Sequence, residues 1–122
     1  MKILAVIPAR YESSRFPGKP LVELHGKPMI QHVYERVQQV PSVGRVLVAT
    51  DDERIINAVQ AFGGQACMTS PDHPTGTDRI VEVIQNQICE WVLNVQGDEP
   101  TIAPDVLETL VQRALAAVSY TH

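Results

Sequence analysis

A chain of 122 residues, 44% hydrophobic, 20% charged and 5% aromatic, carries enough apolar mass for one globular unit with a real core. Its net charge of −4 and pI near 5.5 exclude general affinity for nucleic acid or an anionic membrane, which needs an extended basic face. No apolar run approaches the roughly 20 residues of a membrane span. Pro8, Arg10, Glu12 and Arg15 interrupt the N-terminal apolar stretch too soon for a signal peptide. Cys67 and Cys89 stand in apolar surroundings without a Cys-x-x-Cys, so both read as buried, reduced thiols of a cytoplasmic protein.

In chain order, Lys2 to Ile7 is an apolar run of strand length, as a central parallel strand should be. The segment from Pro8 to Pro20 follows. Pro8, Pro17 and Pro20 bar it from being a helix, while Gly18 and the two serines let it bend and offer donors. It concentrates Arg10, Arg15 and Lys19 in an otherwise acidic chain, which suits a polyanion better than a solvated surface loop. After Leu21, Val22 and Leu24 comes a turn at His25-Gly26-Lys27, and Pro28 suits the first position of a helix. Met29, Ile30, Val33, Val37 and Val40 recur at three- and four-residue spacing behind it, and Pro41 ends that helix.

Arg45 to Thr50 reads as the second strand, and Asp51 and Asp52 as the N-cap of a helix with Ile55, Ile56, Val59 and Phe62 inward, closed by Gly63-Gly64. Gln65 to Met68 is a short third strand. Thr75-Gly76-Thr77-Asp78 has capping-box spacing ahead of Ile80, Val81, Ile84 and Ile88. Trp91 to Val95 is the fourth strand, running into Gln96-Gly97-Asp98-Glu99-Pro100. Pro104 opens a last helix with Leu107, Leu110, Val111, Ala114 and Leu115 inward. No repeat, low-complexity segment or linker divides the chain.

Strands alternating with helices give an α/β fold, an open, doubly wound, mostly parallel sheet in a three-layer α/β/α arrangement with right-handed crossovers. In such sheets ligands bind outside the carboxyl ends of the strands, where the strand order reverses. For order 3-2-1-4 the reversal lies between the first and fourth strands, so the cationic loop faces Gln96-Gly97-Asp98-Glu99. Cations opposite a carboxylate are what a metal–polyphosphate complex needs, with Mg²⁺ taking one or two carboxylates plus substrate phosphates. Other signatures fail. Gly18-Lys19 has Pro20 where a P-loop needs Ser or Thr, and no G-x-G-x-x-G follows the first strand. His25, His32, His73 and His122 have no zinc-ligand spacing.

Four motifs in order carry a resemblance: Pro8-Ala9-Arg10-Tyr11-x-Ser13-Ser14-Arg15-x-Pro17-Gly18-Lys19-Pro20-Leu21, Ala49-Thr50-Asp51, Gly76-Thr77-Asp78-Arg79 and Asn94-Val95-Gln96-Gly97-Asp98-Glu99-Pro100. Together they resemble the 3-deoxy-manno-octulosonate (Kdo) cytidylyltransferase, or CMP-Kdo synthetase, family of sugar nucleotidyltransferases. The resemblance implies a nucleotide-diphospho-sugar transferase, Rossmann-like fold and transfer of a cytidylyl group from CTP to Kdo for lipopolysaccharide biosynthesis in the cytoplasm. It implies that Arg10, Arg15 and Lys19 bind the triphosphate and Asp98 holds Mg²⁺. Arg79 and Gln96 would help recognise cytidine, with Pro8, Ala9 and Ser13 completing the CTP site. Arg79 falls in the first turn of a helix, where a cation opposes the dipole and some function should offset it. Asp51 and Asp52 need be no more than a cap, His73 no more than solvated, and Glu99 is left open.

Members of that family are about twice this length. Residues 1–122 are therefore expected to be the nucleotide-binding N-terminal part of a single, truncated domain. The second metal-binding aspartate, most of the Kdo pocket and the homodimer interface would lie in the other half. The fourth strand would then be an unpaired edge. A related transferase for another acidic sugar such as sialic acid, or a non-catalytic nucleotide-binding fragment, are the competing readings.

Overall fold

The computed structural model describes residues 3–11, 17–70, 76–84, 91–95 and 103–121, and within these no side chain of 76–78, 81 or 117–121. The elements begin with β1 (Ile3–Pro8), a 3₁₀ turn (Lys19–Leu21), β2 (Glu23–Leu24), β3 (Lys27–Pro28), α1 (Met29–Gln38) and β4 (Arg45–Thr50). They continue with α2 (Glu53–Ala61), β5 (Ala66–Met68), α3 (Gly76–Ile84), β6 (Trp91–Asn94) and α4 (Pro104–Thr121).

All six residues of β1 are buried, because the strand lies inside the sheet and is covered on both faces. The main sheet has the order β5-β4-β1-β6 with every pairing parallel, which is the expected 3-2-1-4 arrangement. Alternation along the strands divides the core in two. Ala5, Ile7, Val46 and Val48 face Ile30, Val33 and Val37 of α1, Ile55 and Val59 of α2 and Leu107 of α4. Leu4, Val6, Leu47 and Ala49 face Ile80 and Val83 of α3. Helices thus cover both faces, and the carboxyl ends of all four strands share one edge.

Several local readings change. The turn at His25-Gly26 closes a two-stranded hairpin, β2 with β3, and both turn residues have positive φ (53° and 81°), as a type I′ turn requires. Pro28 ends β3 and is the N-cap of α1 rather than its first residue, with φ −62° and ψ 150°. On α4, Leu107 and Val111 are buried, but Leu110 is 56% exposed and Ala114 is exposed as well, both lining an open apolar groove beside Ile3 and β6. The helix touches the sheet along a narrower stripe than its sequence pattern suggests. Cys67 is half-buried rather than buried, and burial pushes its thiol pKa up, with Glu82 adding to the effect. Cys89 lies outside the described residues. Among the described residues β6 pairs with β1 alone and leaves Val92 37% exposed, in keeping with an edge strand.

Candidate functional site

The site is built where β1 runs out. Pro8 pairs with Ala49 as the last residue of the strand, and Ala9 extends the ladder by donating to Ala49 O at 2.9 Å. Both are buried. Arg10, the next residue, is exposed. The backbone then leaves the sheet and returns at Gly18, whose N–H donates to Tyr11 O at 2.6 Å. The φ of +75° at Gly18 starts the 3₁₀ turn in which Lys19 is half-buried and Pro20 fully so. Gly18 is required twice over, since an added Cβ would also sit 3.0 Å from Tyr11 Cε2. The loop base is therefore pinned by that hydrogen bond, with Arg10 directly before Tyr11 and Lys19 directly after Gly18.

A second layer backs this base. The guanidinium of Arg54, in the first turn of α2, lies 3.2 Å from the centroid of the Tyr11 ring. Asp52 holds it in place, accepting from Nε at 3.0 Å and Nη2 at 2.7 Å. The same carboxylate caps α2 by accepting from the Arg54 N–H at 2.8 Å. These contacts, the Arg54 side chain first, hold the Asp52 carboxyl below its ordinary pKa.

Across β4 lies a buried cation. Arg79, from the first turn of α3, is 0% exposed. Its Nη1 donates to Thr69 Oγ1 and, at 3.2 Å, to Ser70 O, and its Nη2 stands 3.8 Å from Asp51 Oδ2. Nε and Nη2 have no hydrogen-bond partner among the described residues. Thr69 and Thr50, both buried, join the ends of β5 and β4 through Thr69 N–H to Thr50 O at 2.8 Å. Asp51 and Asp52 thus part company. Only Asp52 is the cap, whereas Asp51 turns to Arg79.

Of the residues singled out from sequence, Pro8, Ala9, Arg10 and Lys19 gather at the end of β1, and Arg79 sits deeper, beside the ends of β4 and β5. Ser13, Arg15, Gln96 and Asp98 lie outside the described residues. Val95 donates to Val6 O at 3.1 Å, so the chain enters the 96–100 segment alongside β1 at the carboxyl edge. Tyr11, Asp51, Arg54 and Thr69 were not identified as site residues. Their only sequence signal is an aromatic inside a cation-rich loop and an acidic pair followed by a cation.

Residues 4–122 match the family described as Cytidylyltransferase. The 3-deoxy-manno-octulosonate cytidylyltransferase of Escherichia coli is 60% identical over 111 residues, covering 91% of this chain and 45% of that protein. The protein of the same description from Geobacter metallireducens is 54% identical over 119 residues, 98% of this chain and 47% of that one. A solved CMP:2-keto-3-deoxy-manno-octonic acid synthetase complexed with CTP superimposes with a TM-score of 0.90 at 60% identity, covering 92% of this chain and 46% of that one. The chain spans about half the length of the relatives it matches.

Proposed function

The chain belongs to the cytidylyltransferase family, and from that premise we propose that it carries the nucleotide-binding, N-terminal half of a CMP-Kdo synthetase site. The observation that supports this most is the closed cationic loop at the carboxyl end of β1, beside the reversal of strand order, in a chain 60% identical to a synthetase solved with CTP. Arg10, Arg15 and Lys19 bind the triphosphate. Pro8, Ala9 and Ser13 complete the CTP site. Gln96 and Arg79 address the cytosine, whose O2 and N3 acceptors suit the two Arg79 nitrogens, Nε and Nη2, that have no acceptor among the described residues.

In the reaction, the anomeric hydroxyl oxygen of Kdo bonds to the α-phosphorus of CTP and gives up its proton to solvent, the bond from that phosphorus to the bridging oxygen breaks, and pyrophosphate leaves. Phosphoryl-type transfer needs positioning and charge stabilisation more than covalent chemistry, and both are within reach of fixed cations. Arg10, Arg15 and Lys19 hold the β- and γ-phosphates and take up the charge that builds on the leaving group. A single carboxylate with substrate phosphates is a suitable donor set for Mg²⁺, and Asp98 is the residue that would hold it. When bound, the ion supplies further neutralisation of the triphosphate.

Among the described residues no helix is long and apolar enough to cross a membrane. The proposed setting is lipopolysaccharide biosynthesis in the cytoplasm. The Kdo pocket, a second metal ligand and a homodimer interface belong to the other half of the protein. Calorimetric titration with CTP and Mg²⁺ tests the reading. Binding that depends on the metal and disappears in Asp98→Ala is expected, whereas equal binding by both would refute it. Pyrophosphate release by the full-length protein with Kdo, but not with a sialic acid, decides the acceptor. The 122-residue chain by itself is expected to show little turnover.

A further inference from the structure

The base of the cationic loop is not held by its own residues alone. Tyr11 and Gly18 mark its two ends, joined by the 2.6 Å hydrogen bond between them. Gly18 has no side chain, so the Tyr11 ring comes close enough that a Cβ there would lie 3.0–3.3 Å from Cε2, Cζ and the hydroxyl oxygen. The ring also packs against the Arg54 guanidinium, 3.2 Å from its centroid. Arg54 is aimed by the two-point contact with Asp52, which is itself fixed as the N-cap of α2. A cation in the first turn of a helix opposes the dipole, yet here the planar guanidinium both forks onto a carboxylate and stacks on a ring, which a lysine ammonium does not do.

We propose that Arg54 is a positioning residue for polyphosphate binding: held by Asp52 and laid on Tyr11, it clamps the closed base of the loop and so fixes where Arg10 and Lys19 leave it. The inference deepens the nucleotide reading and rests on it. Arg54 does not touch the ligand in this scheme. It acts through Tyr11, by keeping the loop ends together before the anion arrives, so that less ordering remains to be done on binding.

The test compares wild type with Arg54→Ala, Arg54→Lys and Tyr11→Phe, by calorimetry with CTP·Mg²⁺, inorganic tripolyphosphate and cytidine. Hydrogen exchange at the Gly18 amide is followed in parallel. Arg54→Ala is expected to weaken CTP·Mg²⁺ and tripolyphosphate by about threefold to tenfold, the range of a partly exposed cation–π contact. Cytidine affinity should not change, and the Gly18 amide should exchange faster. Arg54→Lys should fall short of wild type, and Tyr11→Phe, which keeps the ring but drops its hydroxyl, should lose less than Arg54→Ala. Unchanged phosphate affinity in Arg54→Ala overturns the proposal, with or without faster exchange. A wild type that holds tripolyphosphate but not CTP would instead refute the cytidylyl reading, and the tripolyphosphate comparison would still decide the clamp.

Discussion

Replacing Arg79 by Met separates the two things a buried cation can do. Arg79 is 0% exposed and donates from Nη1 to Thr69 Oγ1 and Ser70 O, with Asp51 at 3.8 Å. Losing two hydrogen bonds from a charged donor costs roughly 1.5–3 kcal/mol each. Against this, Nε and Nη2 are buried without an acceptor among the described residues, and each such group costs roughly 1–3 kcal/mol to keep. The cation's desolvation adds several kcal/mol on the same side, partly offset by Asp51. The two sums are of like size, so Arg79→Met should change the unfolding free energy by no more than about 2 kcal/mol.

Ligand binding should behave differently. If Nε and Nη2 meet the O2 and N3 of cytosine, two bonds from a charged donor at about 1.5 kcal/mol each correspond to roughly a hundredfold in affinity. Urea unfolding and calorimetry on the same samples read the two effects. A fall of more than about 4 kcal/mol in stability would mean that the hydrogen-bond side dominates, and Arg79 is then a structural residue. CTP affinity equal to wild type would show that the unused N–H groups do not serve the base. Either result refutes the reasoning.

Two further substitutions probe the elements that hold the loop. Gly18→Ala puts a side chain at φ +75° and 3.0 Å from Tyr11, whereas Gly26→Ala meets a φ of +81° with nothing within 4 Å. Both lose about 1–2 kcal/mol for the left-handed backbone, but only Gly18→Ala should lose more in thermal unfolding and also weaken tripolyphosphate binding. Asp52→Ala removes the α2 cap at a cost of about 1 kcal/mol near neutral pH. The Asp52 pKa is lowered in the folded chain, so its contribution is complete above the unfolded carboxylate value of about 3.9 and is lost as pH falls through the folded value. The stability gap between Asp52→Ala and wild type should therefore close in strong acid, and a gap that widened there would refute the assignment.

How much of this was legible depended on how local each signal is. The apolar runs of β1 and β4 and the three- and four-residue spacing of α1 and α2 depend on few distant partners, and the order taken for a doubly wound sheet, with its reversal between β1 and β6, is the one observed. The hairpin of β2 and β3 was missed because two-residue strands are too short for any periodicity. On α4 the apolar pattern is wider than the face that meets the sheet, so Leu107 and Val111 were placed correctly and Leu110 was not. The cationic character of the loop at Arg10 and Lys19 was legible because charge is a property of the residue. Arg54 was not, because its role is a contact with Tyr11, a residue on another element far away in the chain.

The acidic pair after β4 shows why a single-purpose reading of adjacent residues fails. Side chains alternate between the two faces of the sheet along β4, with Val46 and Val48 toward α1 and α2, and Leu47 and Ala49 toward α3. Continued past Thr50, that alternation turns Asp51 toward α3 and Asp52 toward α2. Each helix carries an arginine in its first turn, Arg79 in α3 and Arg54 in α2, where the dipole disfavours a cation. Each arginine meets the acid on its own side, at 3.8 Å for Asp51 and 2.7 Å for Asp52. One dipeptide at the carboxyl edge therefore serves two helices on opposite faces, with Arg79 beside the ends of β4 and β5 and Arg54 against Tyr11 at the base of the cationic loop. The looser of the two pairs is the one whose guanidinium keeps two buried nitrogens without an acceptor among the described residues, so the proposed base contact of Arg79 and the proposed positioning role of Arg54 call for separate substitutions.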